Sequence, residues 1–338
     1  MSKAPKAISN QEVIVIFHQL YYAEQNIYFN SIIMTLTELR YLVALHQQRH
    51  FARAAEACHV TQSTLSAGIK HLEDSLGVVL VERSRQFLQF TAIGEMVVEH
   101  AQDILARSDD LLSLVKTNDP LQGELSLGII FTIAPYLLPK FIHPWRDAAP
   151  KAPLRLTEGY THDLLNKLTQ GELDAAIIAL PFPGTDDFTA WQLYREPFVA
   201  VLPEHHPLTQ KQQLSVTDIQ DEPLLILGQG HCFRDHTLSA IPHVADHPWQ
   251  SLIESSSLET IRAMVAGGMG VTLLPSLAAA NAWQGLVTLP LVDPAPFRDV
   301  VLIARPTHSR REALRLLAQI IKQLSLISSE SLRTSTTQ

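Results

Sequence analysis

Apolar and polar positions divide this chain into three stretches of different period. Leu39, Leu42, Val43 and Leu45 fall on one face of a helix over 39–49. The run FARAAEACH (51–59) predicts a second, short helix, in which Ala54 and Ala55 allow close packing. Val60 and Thr61 form the turn, and the Thr61 hydroxyl suits an N-cap. Leu65, Ile69, Leu72 and Leu76 then recur at helical spacing, predicting a third helix from Gln62 to about Leu76 that Gly77 ends. VVLVERSRQFLQF (78–90) reads as two short β-runs around Arg83-Ser84-Arg85-Gln86. From Thr91 to about Lys116 the pattern is one long helix. Along it Val97, Ala101, Ile104, Ser108, Leu111 and Val115 alternate spacings of four and three, as a heptad seam does. Such a seam pairs two chains; the alternative is a helix buried on its own domain.

Asn118-Asp119-Pro120 breaks that helix and marks a hinge. Beyond it strands alternate with helices: GELSLGII (123–130), a helix near 135–147, LRLTE (154–158), a helix over 161–170 and DAAIIAL (174–180). This βαβαβ order predicts a parallel sheet with helices on both faces. A second set follows, with strands FVAVL (198–202), PLLIL (223–227), VTLLP (271–275) and VVLIA (300–304), a helix near 257–266 and a closing helix over about 309–324. Gly267, Gly268 and Gly270 follow a helix rather than a strand, so they read as a helix-ending turn and not as a phosphate loop. The fold class expected is a multidomain α+β chain. A winged helix-turn-helix spans 34–93, a linker helix 94–120, and a two-lobed α/β effector domain like the periplasmic binding proteins 121–326. Its first lobe takes 121–197 and 295–326, and its second 198–294.

Composition changes this picture only in part. The 338 residues are 46% hydrophobic and 18% charged, enough for sizeable cores. No run of about 18 apolar residues appears, so no membrane partner is expected. Two cysteines, Cys58 and Cys232, cannot make a disulfide framework, which favours a reducing cytoplasm. The net charge of -8 argues against nucleic acid. Yet residues 34–93 set Arg40, Arg49, Arg53, Lys70, Arg83 and Arg85 against Glu38, Glu56, Glu73, Asp74 and Glu82, so the head is near neutral and the body acidic. Residues 1–33 show no periodic pattern and lack the features of a signal peptide. Met34 reads as the functional start, or 1–33 as a disordered extension; a disordered tail is expected from 327.

The chemistry lies in two places. Gln62, Ser63, Thr64, Ser66 and Lys70 fall mostly opposite the apolar face of the third helix, short hydrogen-bonding side chains and one cation suited to base edges in a major groove. Arg83 and Arg85 at a wing tip suit phosphates or a minor groove. The other place is GHCFRD (230–235). Only a thiolate is a strong nucleophile, and His231, Arg234 and a helix start beside Cys232 favour negative charge, with Asp235 placed to orient Arg234. The alternative is a small buried residue. Cys232, His236, His243 and His247 have paired spacings of four, but chance accounts for them and no metal is expected. No cofactor motif, Ser/His/Asp set or G-x-S-x-G elbow occurs, so an enzyme is not expected.

The segment Leu39 to Gly94, with FARAAEACHVTQSTLSAGIKHLEDSLGVVLVER followed by FTAIG, resembles the DNA-binding head of LysR-type transcriptional regulators. The resemblance covers about 34–325. It implies a cytoplasmic homodimer or dimer of dimers acting on double-stranded promoter DNA, with RNA polymerase as a further partner. Within that family the body resembles the OxyR group of hydrogen-peroxide-responsive activators of antioxidant genes. The matching stretches are TIAPYLLP (132–139), YTHDLL (160–165), GELDAAIIAL (171–180), GHCFRD and SSLETIRAMVAGGMGVTLLP (256–275). The resemblance makes Cys232 the sensing cysteine and Thr132 and Thr161 the residues that position peroxide; each threonine also stands where an N-cap could. The chain departs from the group in one respect: FRDHTLSAIPHVADHPWQ (233–250) holds no second cysteine to capture a sulfenic acid as a disulfide. A LysR-type regulator whose cleft binds a small metabolite, with Cys232 redox-inactive, is the competing reading.

Overall fold

Local capping defines the first unit. In this computed structural model, which describes residues 34–83, 88–116, 119–241 and 257–324, helix α1 (Leu36–Gln48) opens on a reciprocal pair. The Thr35 hydroxyl accepts from Glu38 N, and the Glu38 carboxylate accepts from Thr35 N. Helices α2 (Phe51–Ala57) and α3 (Gln62–Leu76) follow. Thr61 caps α3 by accepting from Thr64 N, and Gly77 ends it at φ 69°. Strands β1 (Val81–Arg83) and β2 (Leu88–Phe90) pair antiparallel as the wing. The Glu73 carboxylate accepts from the Leu80 and Val81 amides and so ties the wing to α3.

Helix α4 (Ala92–Lys116) begins in this unit and ends in the second, the division falling between Leu105 and Ala106. Along it the residues of the expected heptad seam divide between a buried and an exposed face. Ala101 is fully buried with Val98 in the core of the head, and Val97 and Leu105 pack on that core. The helix therefore serves its own domain along this face. Ile93, Met96, Ile104, Leu111 and Leu112 are exposed instead. At about 100° per residue, Ile93, Ile104 and Leu111 lie within about 20° of one line along the helix.

The second unit is built on seven strands: β3 (Leu125–Ile130), β4 (Leu154–Gly159), β5 (Ala175–Leu180), β6 (Thr189–Pro203), β7 (Thr272–Pro275), β8 (Leu286–Pro290) and β9 (Phe297–Ala304). Helices α5 (Ala134–Ala148) and α6 (Thr161–Thr169) make the crossovers between the parallel strands β3, β4 and β5. The others are the short α7 (Val216–Ile219), α8 (Cys232–Ala240), α9 (Leu258–Ala266), the short α10 (Ser276–Ala279) and α11 (Arg311–Gln323). The strand order is β4-β3-β5-β9-β6-β7, with β8 also on β6.

The βαβαβ stretch forms the expected parallel strands β4-β3-β5, and the whole sheet is mixed because β9 inserts antiparallel between β5 and β6. One expected strand is longer and another differs. FVAVL is the end of a 15-residue strand whose first part alternates polar and apolar. Among the described residues PLLIL makes isolated bridges rather than a strand, Leu224 with Val271; its leucines and isoleucine are buried, which a sheet and a packed loop both require. Gly267 ends α9 as expected.

Strand β6 belongs to both lobes. Thr189–Pro197 pairs with β9, and Phe198–Pro203 with β7 and β8. Two separate cores follow the same division, one around Phe141, Trp145 and β3, β5 and β9, the other from Phe198 to Leu291. Cys232 and Leu277 pack into the first core although their neighbours in sequence belong to the second.

Candidate functional site

Cys232 sits where these lobes meet, as the first residue of α8 with His231 at its N-cap. It lines a recess with Ile130, Phe131 and Thr132 from the end of β3, Gly159, Tyr160 and Thr161 from the β4–α6 junction, and Gly230 and His231. The space between the lining atoms is about 170 Å³ including the open mouth, and its interior has room for about one water-sized molecule. The thiol is 4% exposed.

Neither threonine is an N-cap. Ile133 caps α5 and Tyr160 caps α6, so Thr132 and Thr161 are left to face the recess. Thr161 is 1% exposed, and its hydroxyl meets no hydrogen-bond partner among nitrogens and oxygens. It lies close enough to Cys232 to favour the thiolate. Thr132 Oγ1 accepts from Arg298 Nη1 at 2.8 Å, and its carbonyl accepts from Nη2 at 3.1 Å.

Arg298 is the cation that the sequence did not reveal. Its Nε donates to Glu196 Oε2 at 2.8 Å, and these two side chains are 1% and 0% exposed. They face each other across β6 and β9 in register. Glu196 Oε1 accepts from Leu277 N, and the guanidinium stands 5.5 Å over the Phe233 ring. A charged residue inside each of two apolar strands was the available signal. Each reads singly as an edge or an irregularity, and only the register makes them a pair. Tyr194, two residues before Glu196, carries a buried hydroxyl with no partner.

Arg234 and Asp235 do not act as expected. Arg234 Nη1 donates to the Leu227 carbonyl, holding the loop before α8. Asp235 is exposed, and its charge opposes a thiolate at Cys232. Burial pushes the Cys232 thiol up. The Thr161 hydroxyl, the Arg298 charge and the Phe233 amide work in the other direction without reversing it. Burial thus favours the neutral thiol over the thiolate at Cys232.

His231 belongs to an aromatic rim: its ring lies 4.8 Å from Tyr160 and 6.1 Å from Phe131, and those two are 5.3 Å apart, all edge to face. Of the paired spacings, His236 Nε2 meets the Pro181 carbonyl at 3.1 Å. Among the described residues no group of three or more His, Cys, Asp or Glu could hold a metal, while His243 and His247 lie outside them.

In the head, Gln62, Ser63, Thr64 and Lys70 are exposed along α3 and Ser66 is half-buried. The Thr61 hydroxyl also bonds the Ser63 and Thr64 hydroxyls. The backbone of Arg83 ends β1; its side chain, Arg85, residues 1–33 and the tail from 327 lie outside the described residues. Cys58 packs against the core of the head, and burial pushes its thiol up too. No described helix is long and apolar enough to cross a membrane.

Similarity to known proteins follows both units. Residues 36–95 match the bacterial regulatory helix-turn-helix proteins of the lysR family, and 118–325 match the LysR substrate binding domain. The hydrogen peroxide-inducible genes activator of Dickeya chrysanthemi is 38% identical over 294 residues, 86% of this chain and 95% of that protein. Among solved structures, full-length OxyR from Pseudomonas aeruginosa with a cysteine-to-aspartate substitution is 44% identical, with TM-score 0.70 over 87% of this chain and 96% of that one. A cysteine-to-serine variant of Corynebacterium glutamicum OxyR, with hydrogen peroxide bound, is 30% identical, with TM-score 0.58 over 90% and 95%. The chain thus belongs to the LysR family of bacterial DNA-binding transcriptional regulators, in its OxyR-like branch.

Proposed function

We propose that this regulator responds to hydrogen peroxide through Cys232 and controls antioxidant genes. The observation that carries the reading is the recess itself. It puts a thiol and two threonine hydroxyls around a space for one small polar molecule, with the buried Arg298 bonded to one of those threonines. A space of that size supports peroxide over a metabolite as the effector at this site. In the attack, the Cys232 sulfur takes one peroxide oxygen while the Thr132 and Thr161 hydroxyls orient the molecule. Arg298 occupies an acceptor lone pair of Thr132, leaving the Thr132 proton free to donate to peroxide.

On the output side, Gln62, Ser63, Thr64, Ser66 and Lys70 read base edges, and Arg83 and Arg85 hold the backbone. Two chains pair to present two heads to a two-fold promoter site, as a dimer or a dimer of dimers, in the cytoplasm and in contact with RNA polymerase. The role is regulatory rather than enzymatic.

The test is promoter-DNA binding by the whole protein with and without peroxide, at stated salt, because phosphate contacts make affinity salt-dependent. Cys232→Ser should keep DNA binding and lose the peroxide response. A response unchanged in Cys232→Ser would overturn the peroxide reading and favour a metabolite regulator.

A further inference from the structure

The chain has two cysteines, Cys58 in the head core and Cys232. The stretch after Cys232 runs through α8 to a fully buried Ile241, and no cysteine occurs in 233–250. A sulfenic acid formed here has no second thiol within its own unit to resolve it. Whether a free small thiol can take that part depends on the mouth of the recess.

Three aromatic rings line the recess beside Cys232. Tyr160 stands edge to face against both Phe131 and His231. Gly230, at φ 92°, brings its backbone so close to the Tyr160 ring that a Cβ there would lie 3.3 Å from it. A glutathione-sized thiol must place its own sulfur in line with the Cys232 S–O bond to displace the oxygen. A space for about one water-sized molecule admits peroxide and excludes that approach. Inside, the buried and unpartnered Thr161 hydroxyl lines the recess, and the Thr132 proton is left available by Arg298. Both can donate to an oxygen on sulfur.

We infer that Tyr160 is the specificity gate of this site, and that with it closed the oxidised regulator is a persistent Cys232 sulfenic acid rather than a disulfide. The inference rests on the peroxide reading of Cys232. The step balances. The thiol loses its proton, sulfur forms an S–O bond to peroxide, the O–O bond breaks, and the departing hydroxide takes that proton to leave as water. Sulfur is oxidised by two electrons and peroxide is reduced by two. The following step, attack of a second thiol on sulfur with loss of water, is the one that Tyr160 blocks. The same gate discriminates among oxidants: a bulky organic hydroperoxide is turned away where hydrogen peroxide enters.

The test treats the whole protein with hydrogen peroxide, then with either a dimedone-type sulfenic probe added after denaturation or glutathione added to the native protein. Intact and peptide mass follow. The native protein should gain one oxygen at Cys232, give the dimedone adduct, and form the glutathione adduct about tenfold more slowly than Tyr160→Ala. Tyr160→Ala should also narrow the preference for hydrogen peroxide over cumene hydroperoxide. Tyr160→Phe keeps the ring and should behave as the native protein. Rapid glutathione adduct formation in the native protein, or a Cys232 cross-link between chains, would overturn the inference and leave the peroxide reading standing. No oxidation at Cys232 would overturn both.

Discussion

Cys232 shows how burial and chemistry pull against each other in one side chain. Its recess has room for a small reactant only, and the same burial favours the neutral thiol. Only the thiolate reacts, so the rate of Cys232 oxidation should climb with pH and reach half its limit above the ordinary thiol value. Stopped-flow measurement across pH tests this, and a pH-independent rate would show that the thiolate is already formed. Arg298→Met removes a cation that favours the thiolate and should slow oxidation at neutral pH while moving the profile further to alkaline. Glu196 acts through Arg298. Glu196→Ala leaves a buried cation unpaired and should cost about 3–5 kcal/mol of stability in denaturant titrations, more than an exposed pair would.

At the scale of elements, close approach and capping decide what each segment tolerates. A Cβ on Gly94 would lie 2.2 Å from the Leu80 carbonyl oxygen, which is backbone and cannot swing aside. Gly94→Ala should therefore destabilise the wing against α4 by more than the about 1–3 kcal/mol of an overpacked side chain, read as a fall in the unfolding midpoint of the head. In the second unit Asp174 joins β5 to the C-terminal segment. Burial works against its carboxylate, but His308, the Ser126 amide and Arg310 overcome it and hold the carboxyl below its usual value. The stabilisation from this depressed pKa is therefore complete above the usual aspartate value and is lost as pH falls through the lowered one. Asp174→Asn should flatten that acid limb of the stability curve.

Across the whole molecule, small contacts join what the cores separate. Tyr136 packs against both lobe cores and donates to Glu259 at 2.8 Å, so one side chain bridges the two lobes. Arg310 donates to the carbonyls of Pro120, Gly123 and Glu124, clasping the chain where it leaves the linker to the start of α11. The exposed line of Ile93, Ile104 and Leu111 is the apolar surface of α4 available for pairing. Ile104→Lys combined with Leu111→Lys should lower the oligomeric state in sedimentation and weaken binding to a two-fold site far more than to a half-site. An unchanged oligomer would place the pairing surface elsewhere.

Sequence by itself determined the winged head, the linker helix and the alternation of strands and helices, because local periodicity, caps and turn residues act within a few positions. Thr61, Gly77 and the leucine spacing of α3 needed no distant partner to be read. It also determined that Cys232 lacks a resolving cysteine. Tertiary structure decided what depends on register and on lobe meeting lobe. The mixed sheet arises because β9 inserts between β5 and β6, and Arg298 meets Glu196 because two strands about a hundred residues apart align. The burial of Ala101 on its own head splits the apparent heptad seam. Cys232, whose sequence neighbours suggested a thiolate, lies instead where burial outweighs the charges around it, and distant Arg298 rather than adjacent Arg234 supplies the cation.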